Sequence, residues 1–109
     1  MSRMVRKSEQ FLADFDLQYR WYLQKEGIGL ARRYLLAVDS TPEKISGFPE
    51  IGKLRHFPQP ELSGLQSFRV EGAFQSHLIF HRVDESHIDA WRLQHGARDL
   101  PNALIEPIR

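Results

Sequence analysis

Residues 66–93 read QSFRVEGAFQSHLIFHRVDESHIDAWRL, and the period of this stretch sets the fold class. Gln66, Phe68 and Val70 alternate with Ser67, Arg69 and Glu71, and a break follows around Gly72. Leu78-Ile79-Phe80 then forms an apolar run flanked by His77 and His81. Asp84-Glu85-Ser86 is a turn, after which Ile88, Ala90, Trp91 and Leu93 populate another run. A period of two over short segments bounded by turn residues predicts three strands in an antiparallel meander. Strand 76–83 is apolar on both faces, as a central strand requires.

Upstream the period changes to that of a helix. Ser8 offers a capping oxygen and Glu9 a first-turn negative charge. Phe11, Leu12, Phe15, Tyr19, Tyr22 and Leu23 then recur at three- and four-residue spacings up to Gly27. Beyond the break Gly27-Ile28-Gly29, a second helical stripe runs through Leu30, Ala31, Tyr34, Leu35, Val38, Ile45 and Phe48. Pro42 falls inside it, which predicts a kink or a restart with Thr41 as cap. Two helices joined so closely run antiparallel, as a helical hairpin. Arg3 to Lys7 is a short first strand. Pro58 and Pro60 exclude a regular helix between Lys53 and Gly64, which reads as a surface loop. The expectation is an α+β domain of order β-αα-βββ, its helical hairpin packed on a small antiparallel sheet.

A chain of 109 residues, 41% hydrophobic and 27% charged, has room for one core, so residues 1–109 read as a single domain. Fifteen basic against fourteen acidic residues give a formal charge of +1, without the basic excess of a dedicated nucleic-acid binder. Zero cysteines exclude a disulfide framework and thiol chemistry. No apolar run reaches the ~20 residues of a membrane span, so the chain reads as soluble and cytoplasmic, with no membrane partner.

No phosphate loop, dinucleotide fingerprint or nucleophile elbow is present, and no cofactor is expected. His77 and His81 stand four apart, but on a strand four residues span ~13 Å, too far for two ligands of one metal ion. Arg69, His81, Arg82, Arg92, His95 and Arg98 read as a cationic stack across adjacent strands, suited to a phosphate backbone or an acidic protein surface. The alternative is a solvated face paired with Glu71, Asp84, Glu85 and Asp89. Trp21 and Arg20 lie off the apolar stripe of the first helix and are candidates for contact with another chain. His95-Gly96-Ala97-Arg98-Asp99-Leu100-Pro101 is a compact exit from the last strand.

Four segments together carry a resemblance: Ala31, Tyr34, Leu35 and Val38 of the second helix, FPEIGKLR at 48–55, LSGLQSFRVEGAFQSHLIFHRV at 62–83, and RLQHGARDLP at 92–101. From about residue 3 to 101 the chain resembles the RelE/ParE superfamily of type II toxins, in its ParE-like branch. The resemblance implies a toxin that poisons DNA gyrase and blocks replication. It also implies a small cognate antitoxin as partner, with operator DNA reached only through that antitoxin. RelE-like relatives instead cleave messenger RNA on the ribosome, and a non-toxic antitoxin-binding module is a third class.

RNA cleavage needs a general base, a general acid and cations that steady the phosphate. The candidates here are Lys53, Arg55, His56, Arg69 and His95. The last tyrosine is Tyr34, and the tail LPNALIEPIR offers neither Tyr nor His. A gyrase poison is therefore favoured, with no catalytic residues. Its target contact is expected at Trp91 as apolar anchor and Arg98 as planar donor fork. His95 and Asp99 fix the turn that aims Arg98, and Arg69 and Arg82 extend the cationic face.

Overall fold

A computed structural model describes residues 3–96, 100 and 102–105. The chain runs β1 (Met4–Lys7), α1 (Glu9–Glu26), α2 (Ile28–Gly47), β2 (Lys53–Leu54), β3 (Gln66–Arg69), β4 (His77–Val83), β5 (His87–His95) and a short α3 (Asn102–Ile105). The α+β class, the hairpin and the three-strand meander are as the sequence pattern requires. The sheet is larger and mixed, with five strands in the order β1-β5-β4-β3-β2. β1 lies parallel to β5, Met4 beside His87 and Lys7 beside Ala90, whereas the other neighbours are antiparallel.

The hairpin begins where Ser8 takes extended backbone and its hydroxyl accepts the amide of Phe11 at 3.0 Å. Ser8 also ties α1 to the sheet, through its amide to the Ala90 carbonyl and its hydroxyl to the Trp91 carbonyl. Gly27 alone separates the two helices. Its φ of +92° lies in a region that side chains disfavour, and its amide closes α1 onto the Tyr22 carbonyl. The ring of Tyr34 in α2 stacks on Phe15 and tilts against Tyr22, both from α1.

α2 does not restart at Pro42. It runs through to Gly47 with Pro42 buried. Thr41 is not a cap but a bridge: its hydroxyl donates to the Ala37 carbonyl at 2.7 Å and accepts the Glu71 amide at 3.2 Å. The proline removes one helical hydrogen bond, and burial of its ring beside Val38 and Ile45 offsets that loss. Three stripe residues point elsewhere than expected. Leu12 and Leu23 are exposed because the buried line of α1 runs through Phe11, Phe15 and Tyr22. Phe48 is exposed because the chain turns away after Gly47.

The segment 53–64 is more ordered than a surface loop. Lys53 and Leu54 pair with Ser67 and Gln66, and the Arg55 amide extends the contact to the Leu65 carbonyl. Pro60 opens a 3-10 turn that inserts Leu62 fully into the protein.

Alternation along the strands gives the sheet two differently dressed faces. Phe68, Val70, His77, Ile79, Ala90 and Leu93 face the hairpin, where Phe11, Tyr34, Val38 and Phe74 complete the main core. A bulge opposite Phe80 and His81 leaves Trp91 as an extra residue of β5. Leu78, Phe80 and Trp91 occupy the other face, where Leu62, Leu65 and Leu104 form a second, smaller core. No helix among the described residues is long and apolar enough to cross a membrane.

Candidate functional site

The face of the sheet turned away from the hairpin carries an open cleft. Lys53 and Arg55 share a parity at the end of β2, Ser67 and Arg69 share one on β3, and Leu78 is the partner of Arg69 on β4. These side chains, with Ile51 and Phe68, line a depression of about 370 Å3. Arg55 is oriented from two sides: its Nε donates to the Ser67 hydroxyl at 2.7 Å, and its guanidinium lies 5.7 Å from the centre of the Phe80 ring. Lys53 and Arg69 are exposed. Lys53, Arg55 and Arg69 have no carboxylate partner among the described residues, and no acidic side chain lines the cleft. Other cations of the sheet are neutralised: Arg6 by Asp89 and Asp84, and Arg92 by Asp14.

The cationic stack expected across the strands is divided. Arg69, Arg82 and Arg92 belong to the cleft side, whereas His81 is fully buried on the hairpin side and His95 lies there beside His77. Arg82 donates to the carbonyls of Glu61 and Ser63 and stands 5.4 Å above the half-buried Trp91 ring, so it braces the 3-10 turn against β5. His56 lines a neighbouring depression with Arg55 and Phe57. Arg98 and Asp99, expected to contact the target, lie outside the described residues.

Under the hairpin a second polar cluster gathers around His77. The imidazole Nε2 and the Tyr22 hydroxyl share a hydrogen bond of 3.1 Å, and the Tyr34 and His95 rings lie 5.2 and 5.3 Å away. Burial, with help from the charge of His95, pushes the His77 pKa down to about 4. Burial likewise raises the pKa of both Tyr22 and Tyr34. At neutral pH these groups are uncharged and shielded.

Sequence reasoning misses the most connected carboxylate. Asp14 reads as a polar residue on the outer circumference of α1, yet it caps the open edge of β5. It accepts Arg92 through both Nε (2.8 Å) and Nη2 (3.0 Å), the Leu93 amide at 2.9 Å and the Gln94 amide group at 3.1 Å. Arg92 in turn donates to the Leu104 carbonyl at 2.8 Å. The available signal is spacing: Asp14 sits three residues after buried Phe11, toward the inner stripe.

Residues 5–100 match the family model for the ParE toxin of the type II toxin-antitoxin system parDE. Among solved structures, the chromosomal ParDE toxin-antitoxin system from P. aeruginosa is similar, with 17% identity and a TM-score of 0.68 over 86% of this chain and 96% of that one. The toxin-antitoxin complex RelBE2 from Mycobacterium tuberculosis is similar at 19% identity and a TM-score of 0.59, over 87% of this chain and 99% of that one. At such identities the likeness is one of fold. No curated protein matches the sequence significantly.

Proposed function

The chain belongs to the ParE toxin family of type II toxin-antitoxin systems, and from that membership we propose that it inhibits DNA gyrase, blocks replication and is neutralised by a small cognate antitoxin. The observation that carries the choice of gyrase over RNA cleavage is the chemistry of the cleft. Among the described residues, no His, Tyr, Asp or Glu lines it. RNA cleavage needs a group near neutral pKa to take the 2′-hydroxyl proton. Lys and Arg hold an anion without moving a proton at pH 7. The tyrosines and His77 sit beneath the hairpin, on the far side of the sheet.

In this reading Arg69, Arg82 and Trp91 on the cleft side of the sheet contact the target, with His95, Arg98 and Asp99 as further contact residues. The antitoxin occupies an apolar groove of about 600 Å3 on the opposite side. Leu30, Leu36 and Ala37 of α2 line it together with Ala73 and Phe74, a surface suited to an amphipathic segment. Operator DNA is bound by the antitoxin.

Two assays on purified protein test the activity. Inhibition of supercoiling, or accumulation of cleaved DNA in the presence of gyrase, is expected while translation in vitro continues. Ribosome-dependent transcript cuts that disappear in the Arg69→Ala or His95→Ala variant overturn the gyrase reading in favour of an endonuclease. Tight antitoxin binding with neither activity leaves a non-toxic binding module.

A further inference from the structure

We propose that the Lys53–Arg55–Arg69 cleft binds the phosphate backbone of duplex DNA directly, so that the toxin grips the DNA engaged by gyrase as well as the enzyme. The biological setting rests on the gyrase reading; the chemistry of the cleft does not. Three cations converge on one depression with no acidic side chain in its lining and no carboxylate partner among the described residues. Like charges held together repel one another, and an anion relieves that repulsion.

The arrangement suits a run of anions spaced along a backbone more than a single carboxylate. The Arg55 guanidinium is held in place by Ser67 and Phe80, which leaves its outer donors as a rigid fork. Lys53 and Arg69 flank it as exposed charges. The depression, about 370 Å3 and open to solvent, has room for a length of backbone and not only for one carboxylate.

The lining also lacks what base reading requires. No Asn or Gln lines the cleft to pair with base edges. Contact confined to the backbone is independent of sequence and depends on salt. It differs in kind from operator recognition by the antitoxin.

The test is fluorescence anisotropy of a labelled 20-base-pair DNA duplex of arbitrary sequence with the full chain, across a salt series. Three phosphate contacts predict a slope of about −2.7 for log affinity against log salt, or roughly 40-fold weaker binding between 50 and 200 mM. The doubly substituted Lys53→Ala, Arg69→Ala protein should lose about 1.8 of that slope, and Lys53→Arg with Arg69→Lys should keep it. Lys25→Ala, an exposed cation on α1, should change nothing. A thermal melt of each variant separates lost binding from lost folding. No binding by the wild type, an unchanged slope in the double variant, or preferential binding of the matching RNA overturns the proposal. A gyrase assay on the same proteins keeps the two readings apart. Salt-dependent DNA binding without gyrase inhibition removes the gyrase reading and leaves the cleft. Gyrase inhibition by a wild type that does not bind the duplex removes the cleft and leaves the gyrase reading.

Discussion

His77 is a base that the fold holds neutral, and this gives stability a definite pH dependence. Its pKa is about 4 in the folded chain against 6.5 ordinarily, because it is buried and faces His95. Between those values the unfolded chain binds a proton that the folded chain refuses. Stability therefore falls as pH drops from 6.5 toward 4, by about 3 kcal/mol in all. Buried His81 is shifted in the same direction. Urea midpoints at pH 7 and pH 4.5 should differ strongly in the wild type and less in His77→Phe. An equal difference in both proteins would exclude His77 as the source. Asp14 works through geometry: it holds the bidentate Arg92 and two further donors with little solvent contact. Asp14→Ala removes the counter-charge of buried Arg92 and the acceptor of the Leu93 amide, and should cost about 3–5 kcal/mol in an unfolding titration. Spacing from Phe11 marks Asp14 only as lying near the inner stripe, and neither role can be read from the sequence alone. A lone carboxylate on a helix and a histidine on a strand look like surface residues until a neighbouring element covers them, and covering is a property of tertiary packing. Lys53, Arg55 and Arg69 were legible as candidates because a cation retains its chemistry wherever it lies, but their convergence depends on the two-residue strand β2.

Local rules predicted the helices and strands more fully. Capping by Ser8, the reversal at Gly27 and the alternation of β3 each act over a few residues, so they can be read from the sequence. Strand β2 escaped because two residues are too few to show a period, and the continuity of α2 through Pro42 escaped because packing overrides a propensity. The helix junction offers a pair of substitutions with opposite signs. At Gly27 the positive φ makes Gly27→Ala unfavourable by about 1 kcal/mol although space is free around it. Gly29 sits inside α2 with ordinary backbone and nothing within 4 Å of an added methyl group, so Gly29→Ala should stabilise by roughly 0.5–1 kcal/mol. Chemical unfolding of the two single variants checks both signs, and the same sign in both would refute the assigned backbone geometry.

In the proposed reading the whole molecule keeps two jobs on two sides, with the apolar groove on α2 and the cationic cleft across the sheet. Expression of the chain alone should arrest growth, and co-expression of the antitoxin should relieve it. Leu36, exposed in the groove, provides a selective lesion. Leu36→Glu should leave toxicity and melting temperature near normal while weakening antitoxin rescue by at least tenfold in titration, because a charge is placed where apolar surface must be buried. Full rescue of that variant would move the antitoxin to another surface. The pairing of β1 with β5 adds a constraint in time. The Arg6–Asp89 contact joins residues 83 apart in the chain, and Asp14 finds its partners at 92–94. At about 5–20 residues per second, a ribosome takes roughly 4–17 s to follow the first strand with the stretch that pairs with it. Until then the sheet lacks its spine and β1 has no partner strand. In the proposed reading a newborn copy cannot yet act during those seconds, and that interval is a head start for whatever must restrain it.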